Sequence, residues 1–426
     1  MGRFQRIWSA RVVRSTALSP LRHRNYRLLW TGLAVSQLGG WMQFTALGYL
    51  MLQLTDSPFY LGLLGLFQAV PRLSLAFLGG VLADRVDRRR LLMITNALPM
   101  ASAVILGILT ATRHITPWWL LIIAAINSAV NSFDMPARQS LVPLLVGDRD
   151  LLQAISLNSI AFNGSGVIGP SLGGLAISLV GTAGCFFANA ATYLAVLHAL
   201  RRMDPLPQVE KVQTPVLQDV REGLGLLLGN RLVLALLGIV AAQNFFGRPY
   251  VRLMPAIARD VLHVGPGGLG VLLSVPGIGT ILGFLFLSYA ARSGAQRRFL
   301  VTTSAAYGLS VVLFALTPRF WLALPALVLV GALQSTSQST ANTLLQLSVP
   351  DQARGRVMGL YGMMTFGMTT LGTLPVGAAA EAIGVSRAVA ASGVLATLVV
   401  VTIAMVVPQF REGALTRSLP RRTVEL

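Results

Sequence analysis

The chain has 426 residues, 54% of them hydrophobic and 12% charged, and carries a formal net charge of +19. A soluble protein is about a quarter charged. A single soluble core is therefore excluded, and with it the nucleic-acid reading that so basic a chain would otherwise invite. One cysteine, Cys185, excludes an internal disulfide framework and a cysteine-based metal cluster.

A helix that crosses ~30 Å of hydrocarbon needs about 20 apolar residues. The first 27 residues hold seven arginines and no apolar run of signal-peptide type, so they read as a tail before an uncleaved first span. Charge-free runs follow at Leu28–Thr55, Leu91–Thr112, His114–Phe133 and Leu151–Leu200, the last long enough for two spans with a turn at Gly181-Thr182. Phe59–Leu82 is a run broken only by Arg72. A polar stretch, Arg201–Arg231, carries Pro205, Pro207 and Pro215, and its end, Val216–Leu228, has the spacing of an amphipathic surface helix. Leu232–Ile257, interrupted by Arg248 and Arg252, opens the second half, followed by Val261–Ala291, Phe299–Pro318, Phe320–Pro350, Val357–Ala380 and Ala388–Phe410. Only helices or closed barrels span lipid, and unbroken runs are not the alternating strands of a barrel. The expected fold is an all-α membrane protein with twelve transmembrane helices in two six-helix bundles. Its domains are a tail at 1–27, a bundle at 28–200, a linker at 201–231, a bundle at 232–407 and a tail at 408–426.

Charge then sets the topology. With both ends inside, 27 of the 34 basic residues fall on the tails and inner loops, four (Arg113, Arg259, Arg319, Arg387) on outer loops and three (Arg72, Arg248, Arg252) within spans. In this count Arg138 and Arg149 belong to the loop between spans 4 and 5. Such a bias places the N- and C-termini in the cytoplasm. The halves also repeat. Arg89-Arg90 recurs as Arg297-Arg298 at a separation of 208, and Val146 and Asp148 recur as Val349 and Asp351 at 203. Two repeated bundles imply a substrate site between them near the midplane.

The loop Gly80-Val81-Leu82-Ala83-Asp84-Arg85-Val86-Asp87-Arg88-Arg89-Arg90 resembles the G-x-L-a-D-R-x-G-R-R-R loop of the major facilitator superfamily. Gly80 permits close helix approach, Asp84 can pair with arginine or a helix N-terminus, and Arg85, Arg88, Arg89 and Arg90 hold the loop at the anionic inner surface. The resemblance implies a conformational-switch loop that latches the bundles on the cytoplasmic side. Asp87 replaces the usual glycine. In span 5, Gly169-Pro170-Ser171-Leu172-Gly173-Gly174 resembles the G-P-x-x-G-G element of facilitator exporters, with Gly169, Pro170, Gly173 and Gly174 as a candidate hinge. Ordinary small-residue packing is the alternative. Further stretches, including Phe133-Asp134-Met135-Pro136-Ala137-Arg138 and Arg248-Pro249-Tyr250, resemble the branch with the enterobactin exporter and macrolide efflux proteins.

That branch implies export at the bacterial cytoplasmic (inner) membrane, of a drug, macrolide or siderophore, by a multi-pass and monomeric transporter coupled to protons. Partners would be a small molecule, protons and the lipid bilayer, with no nucleic acid, no cofactor and no metal. The rivals are a lysophospholipid flippase and a membrane receptor or enzyme. The four histidines fall in separate segments and no catalytic cluster is visible, so no enzyme is expected. Within the spans, Arg72, Arg248 and Arg252, with Gln43 and Asn131, are candidate cavity residues, because charge at depth is expensive and normally faces a cavity. Structural partners for these arginines are the alternative. Span centres hold no carboxylate. Asp134, placed at the inner end of span 4 and spaced i, i+4 from Arg138, is the candidate coupling acid, or a local ion pair if the helix continues through Pro136.

Overall fold

The computed structural model describes residues 18–204, 230–290 and 296–410, and the side chains of all of these but 76–85, 290, 296 and 351–352. The two outermost tails and Val216–Leu228 lie outside the described residues. Among those described, every regular element is a helix.

After a short 3-10 turn at Ser19–Arg22 come α1 (Arg24–Thr55), α2 (Pro58–Arg85) and α3 (Arg88–Ala111). Helix α4 (Pro117–Arg202) is a single run of helix bent at Gly147 and Gly181, where φ is 66° and 71°. Glycine adopts such backbone readily, and the two bends divide α4 into three arms. Helix α5 (Arg231–Val261) is opened by π turns at Gln243–Gly247 and Ile257–Val261. Helices α6 (Pro266–Ala290), α7 (Gln296–Ala315) and α8 (Phe320–Leu347) follow. Helix α9 runs from Asp351–Gly362 through a π turn at Met363–Gly367 into Met368–Ile383, and α10 is Val385–Val406. Among the described residues, seven helices, α4 counted once, are long and apolar enough to cross a membrane. Large apolar side chains such as Leu179 (74% exposed) and Leu285 (64%) lie on the outside, as a hydrocarbon solvent allows.

The chain divides into two compact units, Met1–Gln213 with Val264–Ser274, and Thr214–His263 with Val275–Leu426. In the first unit, α1 packs along the second arm of α4. Tyr26 Oη donates to the Ala154 carbonyl (2.9 Å) and to Asn158 (3.1 Å), and further out Trp41 and Met42 lie against Gly169 and Gly173. Its inner core gathers Tyr26, Leu29, Leu92, Leu141 and Leu200. The second unit has a comparable core of Leu236, Ile239, Leu300, Leu345 and Val400.

Two placements differ from the sequence expectation. The first arm of α4 continues through Pro136 and Pro143, so Asp134 lies inside the helix, about 20 Å along it from Gly147 at the standard rise. Arg138 is in that helix rather than in a loop. The repeat is visible in geometry. In the first unit, Arg89 donates from Nε to the Leu200 carbonyl (2.6 Å) and from Nη2 to that of Arg201 (2.8 Å). In the second, Arg297 donates to the Gln409 carbonyl (3.2 Å). Donor and acceptor both recur 208 residues on.

Candidate functional site

Gly80, Asp84 and Arg85 lie on the last turns of α2, where side chains fall outside the described residues. The rest of the loop is defined. Asp87 caps α3, its side chain accepting from the Arg90 backbone N–H at 2.8 Å. Arg89 turns to the carbonyls that end α4, where a guanidinium suits the negative end of a helix.

The span-5 element makes close backbone contact on two sides. A side chain at Gly173 would meet the Met42 Cα at 3.0 Å, and one at Gly174 would meet the Pro266 carbonyl and the Gly270 Cα. Next to it, the Ser171 backbone N–H donates to Ser274 Oγ (3.1 Å), and the two hydroxyls are 2.8 Å apart. The helix passes through Pro170 with non-helical backbone only at Gly147 and Gly181.

Of the candidate cavity residues in the first unit, Gln43 is buried and accepts from Asn189 on the third arm of α4. It joins two helices. Asn131 is exposed and folds back on the Asn127 carbonyl (2.9 Å). Arg72 is exposed on α2. In the second unit Arg248 and Arg252 are half-buried. Arg248 lies one turn beyond Asn244, which is fully buried and accepts from Gln338 and Thr369, each at 3.2 Å. The Tyr361 hydroxyl donates to the Gln338 carbonyl (3.3 Å). Arg248 is within electrostatic reach of Tyr250 on its own helix, Tyr307 on α7 and Tyr361 on α9.

Asp134 is the one buried charged side chain among the described residues, 6% exposed. One carboxylate oxygen accepts from Thr95 Oγ1 (2.9 Å) and Asn96 Nδ2 (3.0 Å), the other from Arg138 (2.5 Å). Tyr193 on the third arm is within electrostatic reach of both members of the pair. Sequence reasoning missed Thr95 and Asn96. Two polar residues four to five positions beyond Arg90-Leu91 carry no motif, and only a known bend of the chain brings them to Asp134.

A family profile described as "Transmembrane secretion effector" matches residues 15–425. The chain belongs to this family of the major facilitator superfamily. It is 24% identical to the staphyloferrin A transporter of Staphylococcus aureus over 84% of this chain and 90% of that one. It is 25% identical to the multidrug efflux pump Tap of Mycolicibacterium fortuitum, covering 88% and 93%. With macrolide efflux protein A of Streptococcus pyogenes the identity is 23%, covering 92% and 98%. Among solved structures, a bacterial homologue of the human lysosomal transporter Spinster superposes with a TM-score of 0.71 at 16% identity, over 93% of this chain and 99% of that one. That likeness shows the fold alone. The relatives are transporters, not enzymes, and the chain is a multi-pass, all-helical membrane transporter.

Proposed function

We propose that this transporter exports a small amphipathic molecule, a drug, macrolide or siderophore, from the bacterial cytoplasm across the inner membrane in exchange for protons. It would work as a monomer with twelve spans and both termini inside. Rocking of two bundles would alternate access, with Gly169–Gly174 as the hinge and Gly80–Arg90 as the inner latch. Arg72, Arg248 and Arg252 would line the path and favour a polar or anionic head group. Efflux and siderophore transport among the relatives supports the substrate range.

The observation that carries the coupling is Asp134. An ionised side chain inside a membrane helix is costly, and such residues mark proton or substrate pathways. Thr95, Asn96 and Arg138 hold its two carboxyl oxygens. Protonation would release Arg138 and loosen α3 from the first arm of α4, giving a proton leverage over helix packing.

The test is drug and siderophore accumulation in cells lacking or overproducing the chain, with and without a protonophore. Overproduction should lower accumulation of at least one of these compounds, the protonophore should abolish the effect, and Asp134→Asn should leave binding but uncouple export from the proton gradient. Export that persists unchanged with the protonophore, or in Asp134→Asn, would overturn the coupling.

A further inference from the structure

We propose that the second unit holds a site for a small monovalent anion, built from Gln243, Ser304, Tyr307 and Arg248. The starting point is an asymmetry between the repeats. In the first unit, Thr95, Asn96 and Arg138 converge on a carboxylate. At the separation set by Arg89 and Arg297, Thr95 and Asn96 become Thr303 and Ser304. At the separation set by Asp148 and Asp351, Asp134 and Arg138 become Ser337 and Ala341. The polar frame is kept and the acid is gone.

What remains in the second unit is a set of buried polar groups without a partner. Both amide atoms of Gln243, Ser304 Oγ and Tyr307 Oη have no hydrogen-bond partner, although the three side chains are 2%, 0% and 1% exposed. Buried polar groups are rarely left so. Register brings them together. Ile239 shares a core cluster with Leu300, and two turns on, the notch at Gly247 receives the Tyr307 ring, whose Cε1 lies 2.5 Å from where a side chain would begin. Gln243 is midway between Ile239 and Gly247 in the chain and Ser304 is one turn before Tyr307, so this register sets Gln243 and Ser304 at one level. The π turn Gln243–Gly247 ends at Arg248, whose charge reaches Tyr307. Among the described residues Arg248 has no carboxylate partner.

Two hydroxyls, an amide N–H and a guanidinium form a donor set. Among the described residues no carboxylate pairs with them as Asp134 pairs with its donors in the first unit, so the missing acceptor is an anion. Near-complete burial limits it to the size of a halide, formate or acetate, which is smaller than any exported cargo and independent of it. Bound there, the anion would neutralise Arg248 and tie α5 to α7 across the π turn.

The experiment uses the purified full chain, exchanged into gluconate. Radiolabelled chloride and formate are titrated separately, and thermal unfolding is followed alongside. The expected result is saturable binding of one anion per chain. Ser304→Ala and Tyr307→Phe should each weaken it by about tenfold or more, the loss of one hydrogen bond to a charged ligand. The exposed neighbour Thr302→Ala should bind as the parent does. Should Tyr307→Phe fold poorly, Ser304→Ala removes a single oxygen and still decides the matter. No saturable binding of either anion, or equal binding by Ser304→Ala and the parent, would mean that water alone fills the site and would overturn the proposal. Export is scored separately, so an empty site leaves the transporter reading standing.

Discussion

Asp87 occupies the place where the loop pattern has glycine, with φ −53° and ψ 116°. That backbone is open to any residue, so the turn does not need glycine's freedom here, and the carboxylate gains the capping bond to Arg90 instead. Asp150 acts in a similar way between segments. Ser19 Oγ donates to one of its oxygens (2.6 Å) and the His23 ring meets the other (2.9 Å). The Ser19 hydroxyl first, then His23, holds this carboxyl below its ordinary value. A depressed folded-state value stabilises the docked segment at all pH above the ordinary carboxylate value of about 3.9, and that stabilisation is lost as pH falls below it. Hydrogen exchange of residues 19–26 should therefore be slow at neutral pH and faster in Asp150→Asn. The difference between parent and variant should begin to shrink below about pH 4 and close only as pH falls through the lower value of the docked carboxyl. Equal exchange of the two at neutral pH would show that the turn is held by other contacts.

At the scale of elements, small residues decide how near two helices come. Gly174 faces the Pro266 carbonyl and the Gly270 Cα, both backbone, whereas Gly164 in the same arm of α4 has open space. Gly174→Ala must push backbone apart, and overpacking of this kind costs about 1–3 kcal/mol. Gly164→Ala should instead gain up to about 1 kcal/mol from helix propensity. Thermal unfolding of the two purified variants should move in opposite directions, and a common sign would remove the close-approach argument. This motif was legible because glycine spacing is a local property. The interior position of Asp134 was not. Scanning for charge-free runs ends a span at its first charge, yet here the charge is neutralised by Arg138 one turn on, so the helix continues. The π turns in α5 and α9 were equally hidden, since they depend on which backbone bonds the packed neighbours leave in place. Repeat spacing was informative beyond its first use. The pair Arg89 and Arg297, noticed as a sequence echo, turned out to close the ends of helices in both units.

At the scale of the whole molecule, charge is distributed unevenly between the loops. With Arg138 moved into its helix, 26 of the 34 basic residues remain in the set the sequence assigns to the inner loops and tails and four in the outer set, a bias that orients helices during insertion. Trp118 and Trp321, at the starts of the first arm of α4 and of α8, are 57% and 76% exposed, as aromatic side chains at a membrane interface are. They stand at equivalent positions 203 residues apart, on the side the charge map assigns to the outside. The chain itself offers a clean probe of this orientation. Its one cysteine, Cys185, is fully buried, so a membrane-impermeant maleimide should leave the parent chain almost unlabelled. His114, between α3 and α4, is exposed on the outer side by this reading, and Asp148, beside the Gly147 bend, is exposed on the inner side. In intact cells whose outer barrier admits the reagent, His114→Cys should label fully. Asp148→Cys should label only after the inner membrane is opened. The reverse pattern would invert the whole topology, and labelling of both in intact cells would deny that the two ends of the first arm of α4 lie on opposite sides of the membrane.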